Sequence, residues 1–181
     1  MRKLFILCGF LVLAAACSEE DTPMSTSTPS TVLISSNFEN DLDGWTEGSH
    51  ASNFGTVTHL DREGGIVKLD GVGFDGDPNA WIEKEILLPA DAKTLRISTS
   101  AHDRNNGEVS LRVRLVDGSA TSHTLLDWDP LKTEDEGFEF FPQSFDISAY
   151  AGQSVTIFLE IGDIDGGGNN QRYIDYIRVY K

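Results

Sequence analysis

Cysteine is nearly missing from this chain. Its 181 residues contain two, Cys8 and Cys17, both within the first 17 positions. Everything after residue 17 therefore has no disulfide, thiol nucleophile or thiolate metal site, and an apolar core must hold it. Basic side chains are also scarce: 14 Lys and Arg stand against 29 Asp and Glu, a formal charge of −15. That balance argues against a nucleic-acid partner, whose phosphates demand Lys and Arg. It equally disfavours docking on anionic lipid. No apolar run reaches the about 20 residues of a membrane-spanning helix; the run from Leu4 to Ala16 has only 13. The four histidines, His50, His59, His102 and His123, show no ligand or triad spacing. Nucleophile elbow, phosphate loop, internal repeat and long helical pattern are all missing.

The short apolar run reads as an export signal. Arg2 and Lys3 precede it, giving residues 1–16 the positive start and apolar centre of a signal peptide. Its end, Leu13-Ala14-Ala15-Ala16-Cys17, resembles the lipobox of bacterial lipoproteins. The resemblance implies cleavage before Cys17, acylation of that cysteine and a membrane as partner, since each buried methylene contributes about 0.8 kcal/mol. A plain secretory signal with a chance cysteine is the alternative. Ser18-Glu19-Glu20-Asp21 resembles the surface-export tag of lipoproteins in glycan-degrading Gram-negative bacteria, which implies an outer-membrane lipoprotein exposed at the cell surface. Otherwise it is a solvated acidic start to a linker. Residues 22–31 are Thr, Ser and Pro with one Met, too polar to fold, so residues 17–32 form a disordered tether. Without the signal, 12 basic residues face 29 acidic ones, a charge of −17. Such acidity is compatible with calcium, which takes oxygen ligands, and with mere solubility.

Residues 33–181 have the length of one domain with its own core. Period-two alternation predicts strands at 33–39, 55–60, 65–70, 79–88, 93–101, 108–116, 121–128, 137–146, 153–162 and 172–180. Asn106-Gly107 and Asp117-Gly118 mark hairpin turns, and Ser148 to Gly152 forms at most one helical turn. Leu95, Ile97, Thr99 and Ala101 oppose Arg96, Ser98, Ser100 and His102 across one strand. Val109, Leu111, Val113 and Leu115 oppose Ser110, Arg112 and Arg114; Val155, Ile157, Leu159 and Ile161 oppose Thr156, Phe158 and Glu160. One face is core and the other polar. The predicted fold is all-β, an antiparallel two-sheet β-sandwich or jelly roll.

Four stretches follow one another in a telling order: Asn37-Phe38-Glu39, Asp43-Gly44-Trp45, the run from Phe145 to Gln153, and the ending Tyr173-Ile174-Asp175-Tyr176-Ile177-Arg178-Val179-Tyr180. Together they resemble the galactose-binding-like jelly roll of many carbohydrate-binding modules, over residues 33–181. The resemblance implies non-catalytic binding of a polysaccharide or oligosaccharide, beside surface glycan-processing proteins as partners. It also implies a structural calcium where the first and last strands meet, held by Glu39, by the loop carrying Asp61 and Glu63, and by Asp175. Where the family often has a second aspartate, Tyr176 stands. On physical grounds Asp175 sits in an apolar-aromatic strand, where a carboxylate needs a partner or a metal. Capping of neighbouring amides would also satisfy it.

Other constellations are weaker. Asp75-Gly76-Asp77-Pro78-Asn79 has the alternating oxygens of a calcium loop, yet Ala80 and Ile86 stand where an EF-hand needs Gly and Glu, so a turn is expected. Asp163, Asp165 and the glycines after them read as a hairpin loop. Trp81, Glu83 and Glu85 share a strand face at about 6.8 Å per two residues. A carboxylate pair beside an aromatic serves glycosidases, but in so acidic a chain a solvated face is expected. For a ligand, Arg96, His102, Arg112, Arg114, Phe158 and Glu160 would line one sheet surface, with Trp81 and Trp128 as the flat aromatics that a sugar ring requires. Cross-strand acids are the other use for these arginines. Trp45 is expected in the core. The expected function is glycan capture; the alternatives are a structural or adhesive protein-binding module and a small jelly-roll glycan-cleaving enzyme.

Overall fold

The computed structural model describes residues 30–50, 55–61, 65–72, 78–103, 109–131, 139–163 and 169–181. Cys17, the signal, most of the tether, Glu63 and the loops at 73–77 and 164–168 lie outside the described residues. Among the described residues eleven strands form: β1 (Val32–Ser36), β2 (Thr46–Ser49), β3 (Thr56–Leu60), β4 (Ile66–Val72), β5 (Ala80–Leu87), β6 (Thr94–Asp103), β7 (Val109–Val116), β8 (Ser122–Leu131), β9 (Phe141–Asp146), β10 (Ser154–Asp163) and β11 (Asn169–Tyr180). A single 3₁₀ turn, Ser148–Tyr150, lies where one helical turn was expected. Among the described residues no helix is long and apolar enough to cross a membrane.

All pairings are antiparallel. One sheet runs β3-β4-β11-β6-β9, with β1 also on β11; the other runs β2-β5-β10-β7-β8. The expected sandwich is therefore what forms. Its core is the alternating set read from the sequence: Leu95, Ile97, Leu111, Val113, Leu115, Ile157, Leu159 and Ile161 are all fully buried. Burying one such side chain contributes about 1.5–3 kcal/mol, which is how a domain without disulfides is held together.

Phe38 and Trp45 join this core, and the Trp45 indole N–H donates to Ser36 Oγ at 3.0 Å. The first strand is shorter than expected. Asp43 Oδ2 accepts the backbone N–H groups of Asn37 and Phe38 at 2.7 and 2.8 Å, and Phe38 adopts a left-handed φ of 56°. The chain therefore leaves the ladder after Ser36 and turns inward. Gly65, at φ 87°, lies directly against the Phe38 carbonyl, where any Cβ would overlap that oxygen. His59 Nε2 donates to the same carbonyl at 2.6 Å.

Strand β2 has no counterpart in the sequence reading. Thr46-Glu47-Gly48-Ser49 has no apolar alternation and sits at a sheet edge, so neither periodicity nor β propensity marks it. Strand β9 starts at Phe141, four residues inside the expected limit.

Candidate functional site

The polar faces that looked like one surface belong to two. Strand β6 lies in the six-stranded sheet, whereas β7 and β10 lie in the five-stranded one. Arg96 and the His102 position are thus on the opposite side of the sandwich from Arg112, Arg114, Phe158 and Glu160. Grouping all six was an error. Alternation says which residues share a face of one strand, but not which strands share a sheet.

On the five-stranded sheet the register builds two rows across the strands. Gly48, Trp81, Glu160 and Arg112 stand side by side on β2, β5, β10 and β7. Thr46, Glu83, Phe158, Arg114 and Thr124 form the next row. Strand β8 carries bulges opposite residues 111–114, and such bulges re-aim a side chain. Trp128 sits within that irregular stretch and its ring reaches over β7 to Gly162 on β10, where an added Cβ would come within 2.7 Å of the ring. The Trp81 indole lies against Gly48 in the same manner, and any Cβ there would overlap it. Two tryptophans are thus laid along the sheet, Trp81 on a bare glycine of the adjacent strand and Trp128 on one of the next strand but one. A glycine inside a strand pattern signals such close approach, and this was the cue available in the sequence.

Between the tryptophans lies a charge cluster. Glu160 is only 2% exposed, although it points to the outer face. Arg112 Nε donates to its Oε2 at 2.7 Å; Arg114 donates from Nε to Oε2 at 2.8 Å and from Nη2 to Oε1 at 2.6 Å. Burial pushes the Glu160 carboxyl up, but the two guanidinium groups outweigh that and hold it below the usual glutamate range. Arg114 is raised in turn, chiefly by its hydrogen bond to Glu160. Arg112 stacks on Trp128 with its Cζ 4.3 Å from the ring centroid, and Arg114 on Phe158 at 4.7 Å. Arg114 also donates to Ser122 Oγ. Trp81 carries no such cation among the described residues; its Nε1 donates to Glu83 Oε2 at 3.0 Å. The result is a rigid, half-buried floor with a half-buried indole, Trp81, beside it.

The six-stranded sheet presents something different. Asp70 accepts from Lys68 at 3.0 Å and from Gln171 at 3.1 Å, and Tyr173 donates to Gln171 Oε1. Ser98 and Ser100 are buried beside them, and Arg178 stacks on Tyr176. Here Lys68, Asp70, Gln171 and Tyr173 satisfy one another, whereas Arg96 Nε on the same face has no hydrogen-bond partner among the described residues.

Of the expected cation ligands, Asp175 sits at a bulge in β11, between Ile174 opposite Thr99 and Tyr176 opposite Ser98. On the other edge of β11, pairing passes at this point from β4 to β1. Glu39 follows Phe38 and so lies next to Gly65 at this seam, exposed. Asp61 is 91% exposed and faces His59 Nδ1 at 3.3 Å. Among the described residues no three His, Cys, Asp or Glu side chains group as a cation site. The backbone brings the strand ends together, but the carboxylates fit a cation only in part.

No family profile matches the chain, and no curated protein matches it. Solved structures do share the fold. The K1 cleaved adhesin domain of Lys-gingipain from Porphyromonas gingivalis W83 is similar over 81% of this chain and 96% of its own, with TM-score 0.59 and 15% identity. The C-terminal family 22 carbohydrate-binding module of Clostridium thermocellum Xyn10B covers 82% of this chain and 93% of its own, with TM-score 0.54 and 12% identity. The mannan-recognising carbohydrate-binding module TmCBM27 covers 85% and 99%, with TM-score 0.57 and 14% identity. The chain has the β-sandwich jelly-roll fold of carbohydrate-binding modules and adhesin domains. At these identities the likeness is one of fold.

Proposed function

We propose that the outer face of the five-stranded sheet binds a polysaccharide without cleaving it. The observation that carries this is Trp81, laid flat on Gly48 beside the fixed Glu160–Arg112–Arg114 floor. A sugar ring needs one flat apolar surface and a few immobile polar groups, and this row supplies both. Trp128 is already covered by Arg112, so it serves to hold that guanidinium in place, while Trp81 is the platform. On this face Arg112 and Arg114 converge on Glu160, while Glu83 accepts from the Trp81 indole and Glu85 from Ser154 Oγ, so the arginines are committed to the floor rather than left for an acidic glycan. The fold neighbours that bind xylan or mannan are in keeping with this reading.

The same geometry argues against glycoside cleavage. A general acid must carry its proton near neutral pH, whereas two arginines hold Glu160 ionised. The adhesin likeness alone does not favour a protein partner, because it reports only fold. Calcium at the Glu39–Asp175 seam, completed by Asp61, Glu63 and backbone carbonyls, remains part of the proposal. So does a Cys17 lipid anchor holding the domain at the outer cell surface near glycan-processing proteins.

Affinity electrophoresis of the full-length protein in xylan, mannan and β-glucan gels tests the reading. Retardation in one of them that disappears in Trp81→Ala is expected; no retardation in any, or equal retardation of wild type and variant, would refute it.

A further inference from the structure

Strand β2 is the free edge of one sheet and β3 the free edge of the other. Each pairs on one side only, β2 with β5 and β3 with β4. Alternate backbone N–H and C=O groups along both strands therefore point away from their own sheet. Among the described residues no backbone hydrogen bond joins the two strands. Between them lies a slot of about 320 Å³, lined by Glu47, Gly48, Ser49, Gly55, Thr56 and Val57. Among the described residues its lining, apart from Val57, is glycine, hydroxyl and carboxylate, which offer hydrogen bonds rather than apolar contact. Behind Gly55 lies the backbone carbonyl of Asn79, a fully buried residue whose side chain turns toward Gly71 and, among the described residues, has no hydrogen-bond partner.

The slot is not isolated from the sheet face. Gly48 lines it and also carries the Trp81 indole. A chain stacked on Trp81 and continuing outward past β5 would cross β2 and enter the slot. Its volume is at the lower end for ligand sites, about 300–1,000 Å³, which suits a short piece of a ligand rather than the whole. A hydroxyl-rich lining with exposed strand-edge amides matches a polyhydroxylated unit.

We infer that the slot between β2 and β3 is an outer subsite that takes a further sugar unit of the polysaccharide chain stacked on Trp81. This rests on the reading of the five-stranded face given above. Glu47, Ser49 and Thr56 would bond the hydroxyls of that unit, so the subsite adds to affinity only for chains long enough to reach it. The binding track then runs off the sheet face and around its edge.

Calorimetric titration of the full-length protein with xylo-, manno- and gluco-oligosaccharides, from dimer to octamer, tests the inference. Thr56→Trp fills the slot from an exposed position, and Glu47→Gln removes its carboxylate without adding bulk; circular dichroism of each variant checks folding. Thr56→Trp is expected to weaken binding of the longest oligosaccharides about tenfold, an effect of 1.4 kcal/mol, and to leave the shortest binders unchanged. Glu47→Gln should give a smaller loss with the same length dependence. Identical affinities for wild type and both folded variants at every length would overturn the subsite and leave the sheet-face reading standing, provided Trp81→Ala still abolishes binding. Failure of every oligosaccharide to bind wild type would overturn both.

Discussion

The two outer faces of the sandwich are built by the same alternation and differ in what their polar groups have left to do. On the six-stranded sheet, Lys68, Asp70, Gln171 and Tyr173 form a closed hydrogen-bonded set, and Arg178 covers Tyr176. On the five-stranded sheet, two arginines converge on one buried carboxylate, and a tryptophan beside them rests on glycine with no cation over it among the described residues. Gln171 and Tyr173 on the first face are themselves buried, and their mutual hydrogen bond offsets the cost of desolvating them. A face that uses buried charge to hold a floor rigid next to a half-buried indole has the form of a recognition surface, because pre-ordered groups lose little entropy on binding.

The largest expected effect comes from removing the platform. Trp81→Ala should reduce glycan affinity at least about 30-fold, the size of a binding hot spot of roughly 2 kcal/mol. Gly48→Val should do nearly as much without touching the indole, because its side chain would displace the ring. Tyr176→Ala on the opposite face should change affinity less than about twofold; a large loss there would erase the distinction between the faces. Titration calorimetry reads all three.

Next comes the charge cluster. Glu160→Ala leaves two partly buried guanidinium groups without their partner and should cost about 2–3 kcal/mol of stability, read by urea unfolding. Arg112→Lys keeps the charge but loses the planar stack on Trp128 and should weaken glycan binding about fivefold. The pH dependence follows from the depressed Glu160 carboxyl. Its contribution is fully present above the ordinary glutamate pKa of about 4.3. It fades as pH falls below that value, through the lower folded-state pKa. Thermal melts should therefore be flat in this contribution from pH 8 to 5, and the wild-type advantage over Glu160→Gln should shrink below pH 4. An advantage that persisted at still lower pH would contradict the cluster.

The smallest effect concerns the seam of β1, β4 and β11. If calcium binds there, the ion at ten times its Kd contributes about 1.4 kcal/mol, a shift of a few degrees in melting temperature. Chelator should remove that shift, and Asp175→Asn should blunt it. A melting temperature indifferent to chelator would discard the ion.

Much of the fold was readable because buried strands obey period two: every interior position named on β7 and β10 whose side chain is described is buried. Strand β2 was not readable, since four polar residues at an edge leave no periodic trace. The individual site residues Trp81, Arg112, Arg114, Trp128, Phe158 and Glu160 were legible as polar-face or aromatic candidates. Their assembly was not, because strand order in a sandwich depends on long-range pairing such as β5 with β10, which no local pattern encodes. Arg96 and His102 were misplaced for that reason. The pairing of both arginines with Glu160 was open in the sequence as one of two uses, and the structure shows that pairing.

Affinity for a soluble glycan, measured side by side for wild type, Trp81→Ala and Tyr176→Ala, tests the central claim most directly. The account predicts that binding is lost in Trp81→Ala and kept in Tyr176→Ala, with all three proteins folded. Binding that survives Trp81→Ala, or that falls in Tyr176→Ala instead, would contradict it.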